Sequence, residues 1–265
     1  MATYFQVRVF HEEEAYAAQA ARAAFHLLDA LESRLTRFRI NSDIARIAHL
    51  APGERLRLSE PAFACLQIAK TMELATRSAF CATPTALKTQ ECLPQWQLLP
   101  DDHCILCLSG QLQFDLGAIG KGFALDRMAE LLSQWDCPSF LLVAGGSSIL
   151  AGDSPADTSG WSCGLGEDNT VQRYLLTHAS LSGSGLAVKG AHILDPRTGQ
   201  PAPRQLRAWV LADTASESDA LSTACMVLTE SELKEVLAQD NSWLAFLDTA
   251  DGILPIGSRV LPTPA

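Results

Sequence analysis

The sequence predicts a mixed α+β fold built on largely antiparallel sheets. Short strand-forming runs follow one another and pair locally, whereas a doubly wound α/β fold would alternate strands with helices throughout. Two turns support this arrangement, because Ser109-Gly110 and Asp251-Gly252 each separate two apolar runs and predict hairpins. No repeat and no clear linker interrupts the chain, so residues 1–265 are predicted to form one domain.

The first part of the chain predicts a strand and two long helices. Thr3–Phe10 alternates apolar and polar residues, which is the pattern of a half-buried strand. Glu12–Phe38 predicts an amphipathic helix whose apolar stripe ends on Leu35 and Phe38. Ser59 is a good N-cap for the next helix.

The second part predicts further strands and three helices. The predicted elements are a helix at Phe123–Trp135, strands at Phe140–Val143, Ser148–Ala151, Trp161–Leu165, Arg173–His178 and Leu206–Leu211, and an apolar helix at Glu217–Leu228. Thr229-x-x-Glu232 has the form of a capping box and predicts the start of the last helix.

Composition and charge exclude several classes of partner. The net charge of −10 and the pI of about 5.0 argue against nucleic acid as the main partner. No apolar run reaches the roughly 18 residues of a membrane span, so no stable membrane insertion is expected. The opening Met1-Ala-Thr-Tyr-Phe lacks the features of a signal peptide and shows no lipobox, which predicts a cytoplasmic protein.

The eight cysteines have irregular spacing and mostly apolar neighbours. This pattern indicates reduced core residues in a cytosolic protein. Cys104-x-x-Cys107 resembles a metal-binding or redox pair, but it lies in a predicted strand, where residues three apart point to opposite faces. Because no second pair exists, a metal site here is the less favoured interpretation.

The first candidate site is the segment Gly190–Gly199, which contains His192, Asp195 and Arg197 within six residues. Pro196 fixes the local backbone, so the segment can hold several polar side chains rigidly around a small charged ligand. The alternative is a β-turn in which Asp195 caps the turn and Arg197 is a solvated surface charge. The residues alone favour neither interpretation.

The second candidate site is Asp115–Gly122, which leads into a predicted helix. Its three glycines allow the backbone to approach a ligand closely, and the helix N-terminus presents free N–H groups. Lys121 adds a positive charge, so the segment suits a pyrophosphate. The spacing matches neither the dinucleotide-binding nor the Walker fingerprint. A tight turn that needs glycine for packing is an equally good explanation.

The third candidate site is the pair Asp219 and Thr223. Residues four apart share one face of a helix, and a carboxylate with a hydroxyl can bind a hard cation such as Mg²⁺. The alternative is that Asp219 is a first-turn acid and that Thr223 bonds back into its own helix. For the isolated motif, this alternative is the better interpretation.

The fourth candidate site is the end of a buried strand. Leu141-Leu-Val-Ala runs into Gly145 and Gly146, which are followed by two serines. This edge can border a ligand or form a simple turn.

Taken in order, these motifs resemble the ApbE family of FAD:protein FMN transferases. The matching segments are Asp115-Leu-Gly-Ala-Ile-Gly-Lys-Gly-Phe-Ala-Leu-Asp-Arg, the strand that ends in Gly-Gly-Ser-Ser, His192-Ile-Leu-Asp-Pro-Arg-Thr-Gly, and Asp219-Ala-Leu-Ser-Thr-Ala. The segment Thr36–Ile47 is similar to the family's pattern after its long helix. The resemblance covers nearly the whole chain.

The resemblance implies an ApbE-type α+β fold of two closely packed halves with a cleft between them. FAD would bind in this cleft with Mg²⁺ on its diphosphate, and FMN would be transferred to a Thr or Ser of a flavin-acceptor protein with release of AMP. Asp219 and Thr223 would bind the metal, with a backbone carbonyl from residues 118–120, and His192 would assist proton transfer. The residues implied to line the FAD site are Phe80, Thr83, Gly117, Lys121, Gly122, Gly145, Gly146, Ser182, His192 and Asp195.

The chain also departs from the family pattern. The family's Gly-Ala-Phe-Asp-x-Thr is Ser78-Ala79-Phe80-Cys81-Ala82-Thr83 here, so the acid is replaced by Cys81. The common His-His-Ile is Ala191-His192-Ile193, and Gly-Gly-Asp is Gly145-Gly146-Ser147. Many family members are exported, whereas this sequence shows no export signal.

Two other functions fit the same motifs. Water in place of the acceptor hydroxyl would make the protein an FAD hydrolase that releases FMN and AMP. Loss of the acid at Cys81 and of the first histidine at Ala191 instead favours a non-catalytic FAD-binding protein, or a degenerate member that binds nothing. Release of FMN without an acceptor distinguishes the hydrolase, and flavin binding without AMP distinguishes the binding protein.

Overall fold

A computed structural model describes residues 3–84, 94–166, 171–185, 194–200, 202 and 207–265. Within these ranges the helices are α1 (Glu14–Leu35), α2 (Asp43–Ile47), α3 (Glu60–Ala75), α4 (Gly120–Gln134), α5 (Ala215–Cys225) and α6 (Glu230–Leu237). The strands are β1 (Phe5–Val9), β2 (Arg55–Arg57), β3 (Gln95–Leu99), β4 (Cys104–Ser109), β5 (Phe140–Ala144), β6 (Ser148–Ala151), β7 (Trp161–Leu165), β8 (Gln172–Leu176), β9 (Ala179–Gly185), β10 (Arg207–Ala212), β11 (Leu244–Thr249) and β12 (Gly252–Gly257). The predicted α+β class is confirmed.

The largest element is a seven-stranded sheet with the order β1-β5-β6-β9-β10-β11-β12, in which every neighbouring pair is antiparallel. The predicted hairpin at Asp251-Gly252 is confirmed as β11 and β12, since Thr249 pairs with Gly252. The sequence did not predict β9, although β9 lies at the centre of the sheet. Serine and glycine dominate β9, and neither residue signals a strand.

A second sheet of three strands has the order β2-β4-β3. The predicted hairpin across Ser109-Gly110 is wrong, because both edges of β4 are already paired. Leu56 of β2 and Leu98 of β3 both pair with Ile105 of β4. The segment after Gly110 therefore forms no strand, and it instead buries Leu112 and Phe114 in the core.

The seven-stranded sheet separates two hydrophobic clusters. The main core joins one face of the sheet to apolar residues of α1, α3, α4 and α5, such as Leu31, Leu66, Phe123 and Leu221. The opposite face packs against the hairpin of β7 and β8. The two helices that matter most for the site, α4 and α5, therefore lie against each other on the main-core side of the sheet.

Two helix boundaries differ from the predictions in ways that affect the site. α1 ends at Leu35, and the predicted stripe residue Phe38 lies beyond it with 81% of its surface exposed. α4 begins at Gly120 rather than at Phe123, so Lys121 and Gly122 lie in its first turn instead of in a preceding loop. Apolar periodicity locates a helix, but glycines at its start hide the boundary.

The structure describes seven cysteines, and all seven are free and buried. Cys92 lies outside the described residues. Cys104 and Cys107 donate to the backbone carbonyls of Asp102 and Gly110. Among the helices of the described ranges, none has the length and apolar character that crossing a membrane requires.

Candidate functional site

The candidate site forms around the first turn of α4. A short 3₁₀ turn, Leu116–Ala118, precedes this helix and is capped by Asp115, whose Oδ1 accepts a 2.9 Å hydrogen bond from the Gly117 N–H. Arg37 donates to Asp115 Oδ2 at 2.8 Å. The carboxylate of Asp115 is therefore occupied by a turn and an ion pair, and it fixes the turn that leads into α4.

Asp219 of α5 joins three elements at this point. Its Oδ2 accepts a 2.7 Å hydrogen bond from the Gly122 N–H of α4, and its Oδ1 accepts one of 2.5 Å from the Ser148 hydroxyl of β6. Lys121 Nζ lies 3.7 Å from Oδ2. Asp219 is only 4% exposed. A buried carboxylate with two donors and one nearby cation is well compensated, and it retains lone pairs for a further ligand.

Asp126 forms the reciprocal contact from α4 to α5. Its Oδ1 accepts a 2.7 Å hydrogen bond from the Ala215 N–H, and its Oδ2 accepts hydrogen bonds from the N–H and hydroxyl of Ser216. Burial raises the pKa of Asp126 to about 6, and the nearby charge of Asp219 also raises it. The hydrogen bonds from Ala215 and Ser216 lower it, but by less. Each helix thus has its first turn capped by an acid of the other helix.

Sequence reasoning missed the role of Asp126, although the residue was part of the motif that carried the family resemblance. The available signal was its spacing, because Asp126 lies four residues after Gly122 and so on the same face of α4. What could not be predicted was the partner, since Ala215 and Ser216 are about ninety positions away in sequence.

A ladder of hydroxyl groups connects β9 to α5. Ser182 and Ser180 each contact the hydroxyl of Ser218, at 2.8 Å and 2.7 Å. Ser184 contacts Ser222 at 2.9 Å and Thr223 at 3.4 Å. Ser182 therefore supports the residue before Asp219, and Thr223 lies at the end of the ladder, where its hydroxyl contacts Ser184 of β9.

The two glycines after β5 border the same cluster. Both have left-handed backbone angles, with φ of +60° at Gly145 and +68° at Gly146. A Cβ atom at Gly145 would lie 2.5 Å from Thr3 Oγ1 and 3.7 Å from Lys121 Cδ. The turn therefore requires glycine, and it brings the backbone beside the Lys121 side chain.

The loop that holds Phe80 and Thr83 contacts the site through its backbone. Asp115 N–H donates to the Ala82 carbonyl at 2.8 Å, and Ala82 N–H donates to Glu73 Oε1 at 2.9 Å. Phe80 and Thr83 are both buried, so they support the loop from inside. Burial and the charge of Glu73 raise the pKa of the Cys81 thiol to about 11, so Cys81 supplies no charge in place of the lost acid.

Asp195 lies apart from the Asp219 cluster in its contacts. Arg197 binds both oxygens of Asp195, at 2.9 Å from Nε to Oδ1 and 2.9 Å from Nη2 to Oδ2. Burial raises the pKa of Asp195, but the hydrogen bonds and the charge of Arg197 together hold it below its ordinary value. His192 lies outside the described residues. The predicted proton-transfer role of His192 stays a prediction.

Arg197 also reaches the capping box of α6. Its Nη1 lies 2.7 Å from Glu232 Oε1, while Glu232 Oε2 accepts hydrogen bonds of 2.8 Å from the N–H and the hydroxyl of Thr229. The predicted capping box is therefore confirmed. The N–H of Thr229, its hydroxyl and then Arg197 lower the pKa of Glu232 to about 2.

Glu232→Gln should destabilise the protein by about 1–2 kcal/mol at pH 7, because a cap and a charged partner of Arg197 are lost together. The folded-state pKa lies below the ordinary 4.5, so the ionised carboxylate stabilises the fold above pH 4.5. This contribution disappears as the pH falls from 4.5 towards 2. Urea unfolding at pH 7, 5 and 3 should show that the difference in free energy of unfolding between Glu232→Gln and the wild type becomes smaller at pH 3.

The matched control is Glu230→Gln, which removes the other first-turn acid of α6. Glu230 makes an exposed pair with Lys234 at 2.6 Å, and its loss should cost about 0.2–0.5 kcal/mol. A gap between Glu232→Gln and the wild type that stays constant with pH would contradict the assigned origin of the stability.

A small cleft of about 180 Å³ opens beside the α4 N-terminus. Its lining includes Phe38, Gly117, Gly120 and Lys121. Phe38 is an exposed aromatic ring, with the Arg37 guanidinium 5.0 Å from its centroid. Sequence reasoning assigned Phe38 to the core. The contrary signal was its position between two arginines, which predicts a solvent-exposed residue.

A wider cleft of about 950 Å³ lies elsewhere, between α3, the second half of α4 and the start of α5. The residues that the sequence predicted for the site, as far as the structure describes them, do not line this cleft. The candidate site is therefore defined by its polar contacts and not by cavity size.

The cluster offers oxygen ligands for a cation and one ammonium group for an anion. Within the described ranges, no three His, Cys, Asp or Glu side chains group as a metal site. A Mg²⁺ site built from one carboxylate, one hydroxyl and backbone carbonyls does not need such a group, because Mg²⁺ completes its shell with water and phosphate. Asp219, Thr223 and a backbone carbonyl from residues 118–120, the set that the resemblance implies, are groups of the kind that this chemistry uses.

Comparison with known proteins gives consistent results. The family model described as ApbE family matches residues 1–247 of this chain. A protein of Klebsiella pneumoniae strain 342 named FAD:protein FMN transferase is 25% identical over 245 residues, which cover 79% of this chain and 74% of the relative. A protein of the same name from Haemophilus influenzae is 31% identical over 146 residues, covering 49% of this chain and 42% of the relative.

Solved structures share the fold. The flavin transferase ApbE from Vibrio cholerae superposes with a TM-score of 0.83 at 18% identity, covering 97% of this chain and 94% of that chain. The ApbE protein from Thermotoga maritima superposes with a TM-score of 0.79 at 20% identity, covering 96% and 97%. At these identities the likeness establishes the fold.

Proposed function

Because this chain belongs to the ApbE family, we propose that it transfers FMN from FAD to a Thr or Ser hydroxyl of an acceptor protein, depends on Mg²⁺ and releases AMP. The coarser part of this statement, flavin transfer, also follows from the names of the curated relatives. The Mg²⁺ requirement rests on the chemistry of the site, and the hydroxyl acceptor rests on the resemblance to the family.

The observation that carries the proposal is the buried contact of Asp219 with Gly122 and Lys121 at the α4 N-terminus. A helix N-terminus and an ammonium group favour the negative charge of a diphosphate. A carboxylate beside them would repel a diphosphate unless a cation lay between the two. The arrangement therefore suits a diphosphate that arrives with a divalent cation.

The reaction exchanges the phosphoanhydride bond of the FAD diphosphate for a phosphoester bond to the acceptor. The acceptor oxygen forms a bond to the FMN phosphorus, the bond from that phosphorus to the AMP oxygen breaks, and the acceptor proton is released. Bound Mg²⁺ would supply positive charge to the diphosphate oxygens. Asp219 and Thr223 would hold the cation, and Gly117 would let the backbone approach the phosphates, whereas the open side of Gly122 faces the Ala215 backbone of α5.

Two side chains complete the proposed site. His192 would accept the proton of the acceptor hydroxyl, since a neutral imidazole is a suitable base near pH 7. Phe38, exposed at the mouth of the small cleft, would offer a face on which the flavin ring could stack. The aromatic ring and the phosphate-binding turn would thus hold opposite ends of the FMN part.

The test is a transfer assay with FAD, magnesium chloride and a purified flavin-acceptor domain. In-gel flavin fluorescence measures covalent FMN, and chromatography measures AMP. We expect both products in equal amounts, both lost with EDTA, and the covalent product lost when the acceptor hydroxyl is removed. His192→Ala should lower the rate by about 10²–10⁴-fold.

Three results would contradict the proposal. AMP and free FMN without an acceptor would identify an FAD hydrolase. FAD binding without AMP would identify a binding protein. Absence of both binding and products, with several acceptor domains and stoichiometric protein, would identify a degenerate family member.

A further inference from the structure

Lys121 occupies an unusual position in the free protein. Its Nζ lies 3.3 Å from the Gly117 carbonyl oxygen and 3.7 Å from Asp219 Oδ2. A backbone carbonyl and this carboxylate are the kinds of oxygen that a hard divalent cation would take. The lysine side chain is 18% exposed, so its ammonium lies largely inside the site.

The contact between Lys121 and Asp219 is one of charge. At 3.7 Å the two atoms are beyond hydrogen-bond distance. Ser148 and Gly122 already donate to the two carboxylate oxygens and hold them in place. Asp219 would therefore keep its position without the lysine but would lose its neutralising charge. Across the described chain, no other basic side chain pairs with Asp219.

The neighbouring charges do not duplicate this role. The nearest other basic residue along the cleft, Arg37, is held by Asp115 at 2.8 Å. Asp126, the second acid between α4 and α5, is held by the N–H groups of Ala215 and Ser216. Asp219 and Lys121 thus remain as a separate pair at the mouth of the turn.

We propose that Lys121 is the internal counter-ion of the unloaded site and that a divalent cation displaces it from Asp219. Two cations within about 4 Å of one carboxylate repel each other strongly in a partly buried site. Lysine has a flexible four-carbon stem, so its ammonium can leave while α4 stays in place. The displaced ammonium then faces the cleft, where it binds the diphosphate. This last step rests on the proposed function, whereas the displacement does not.

The first experiment uses the wild-type protein without FAD. An amine-acetylating reagent labels the protein in EDTA or in magnesium chloride, and mass spectrometry gives the labelling rate of Lys121. Displacement predicts that Mg²⁺ raises this rate several-fold. Lys234, which pairs with Glu230 on exposed α6, is the internal reference and should not change. An unchanged or lower rate at Lys121 would overturn the proposal.

The second experiment uses Lys121→Met, which keeps the stem and removes the charge. In EDTA its melting temperature should fall by several degrees, and Mg²⁺ alone should restore it. Its apparent Mg²⁺ affinity should be about tenfold higher than that of the wild type, because no ammonium competes. Lys121→Arg should behave as the wild type does, and Lys234→Met should show no change in Mg²⁺ response.

A double variant identifies the group through which the cation acts. Lys121→Met combined with Asp219→Asn should lose the Mg²⁺ response. A response that persists in the double variant, or one equal in Lys121→Met and the wild type, would overturn the proposal.

Adding FAD with Mg²⁺ should lower the labelling of Lys121 again. If Mg²⁺ exposes Lys121 but FAD does not protect it, displacement stands and the proposed diphosphate site fails.

Discussion

Asp219→Asn is expected to lower the rate of FMN transfer by about 10²–10³-fold, which corresponds to about 3–4 kcal/mol of transition-state stabilisation. The amide keeps the size of the side chain but removes the charge that would hold a divalent cation. In the wild type, the Gly122 N–H and the Ser148 hydroxyl each donate to one oxygen of Asp219. The NH₂ group of asparagine would replace one of these oxygens and place a donor against a donor. Single-turnover formation of covalent flavin gives the rate.

The same variant should lose Mg²⁺-dependent stabilisation by FAD. A ligand at about 100 times its dissociation constant adds about 2.7 kcal/mol to the folded state, so thermal unfolding detects binding directly. Glu217→Gln is the matched control, because Glu217 is a first-turn acid of the same helix. An Asp219→Asn protein that keeps half of its activity and its Mg²⁺-dependent stabilisation would remove Asp219 from the site.

Gly122→Ala should destabilise the protein by about 3–5 kcal/mol or prevent folding. A Cβ atom at this position would lie 2.0 Å from the Ala215 carbonyl oxygen, 2.3 Å from its carbon and 2.7 Å from Ser216 N. These are backbone atoms, so α4 and α5 would have to separate. In an ordinary helix the same change stabilises by about 0.5–1 kcal/mol, and the expected sign is therefore reversed.

Urea unfolding and soluble yield measure the effect of Gly122→Ala. The control is Gly117→Ala, where the nearest atom to the added Cβ is Asp115 Oδ1 at 3.0 Å, the end of a side chain that can move. That substitution should cost less than about 1 kcal/mol. A Gly122→Ala protein as stable as the wild type would show that α4 and α5 do not need this close approach.

The sequence predicted contacts within a helix better than it predicted which strands pair. Asp219 and Thr223 are four residues apart, and this spacing alone placed them on one helix face. Thr229 and Glu232 formed the capping box that their spacing predicted. These predictions succeeded because each depends on contacts within one turn of helix, which the local sequence encodes.

The missed elements depend on distant partners. β9 has little apolar character, and its serines are stabilised by the hydroxyl groups of α5 rather than by burial of large side chains. The predicted hairpin at Ser109-Gly110 failed because β2 and β3 occupied both edges of β4. A local pattern shows that a strand is possible but does not show which strand pairs with it.

The sequence by itself determined the α+β class and the family, and it supplied the candidate residues of the site. Only the tertiary structure showed that Gly122 is needed for contact with the α5 backbone, that Asp126 and Asp219 cap each other's helices, and that Lys121 neutralises Asp219. The physical reason is distance along the chain. Hydrophobic periodicity and caps act over a few residues, whereas a buried charge is stabilised by whichever donors the fold brings to it, and here the Gly122 and Ser148 donors are 97 and 71 positions away.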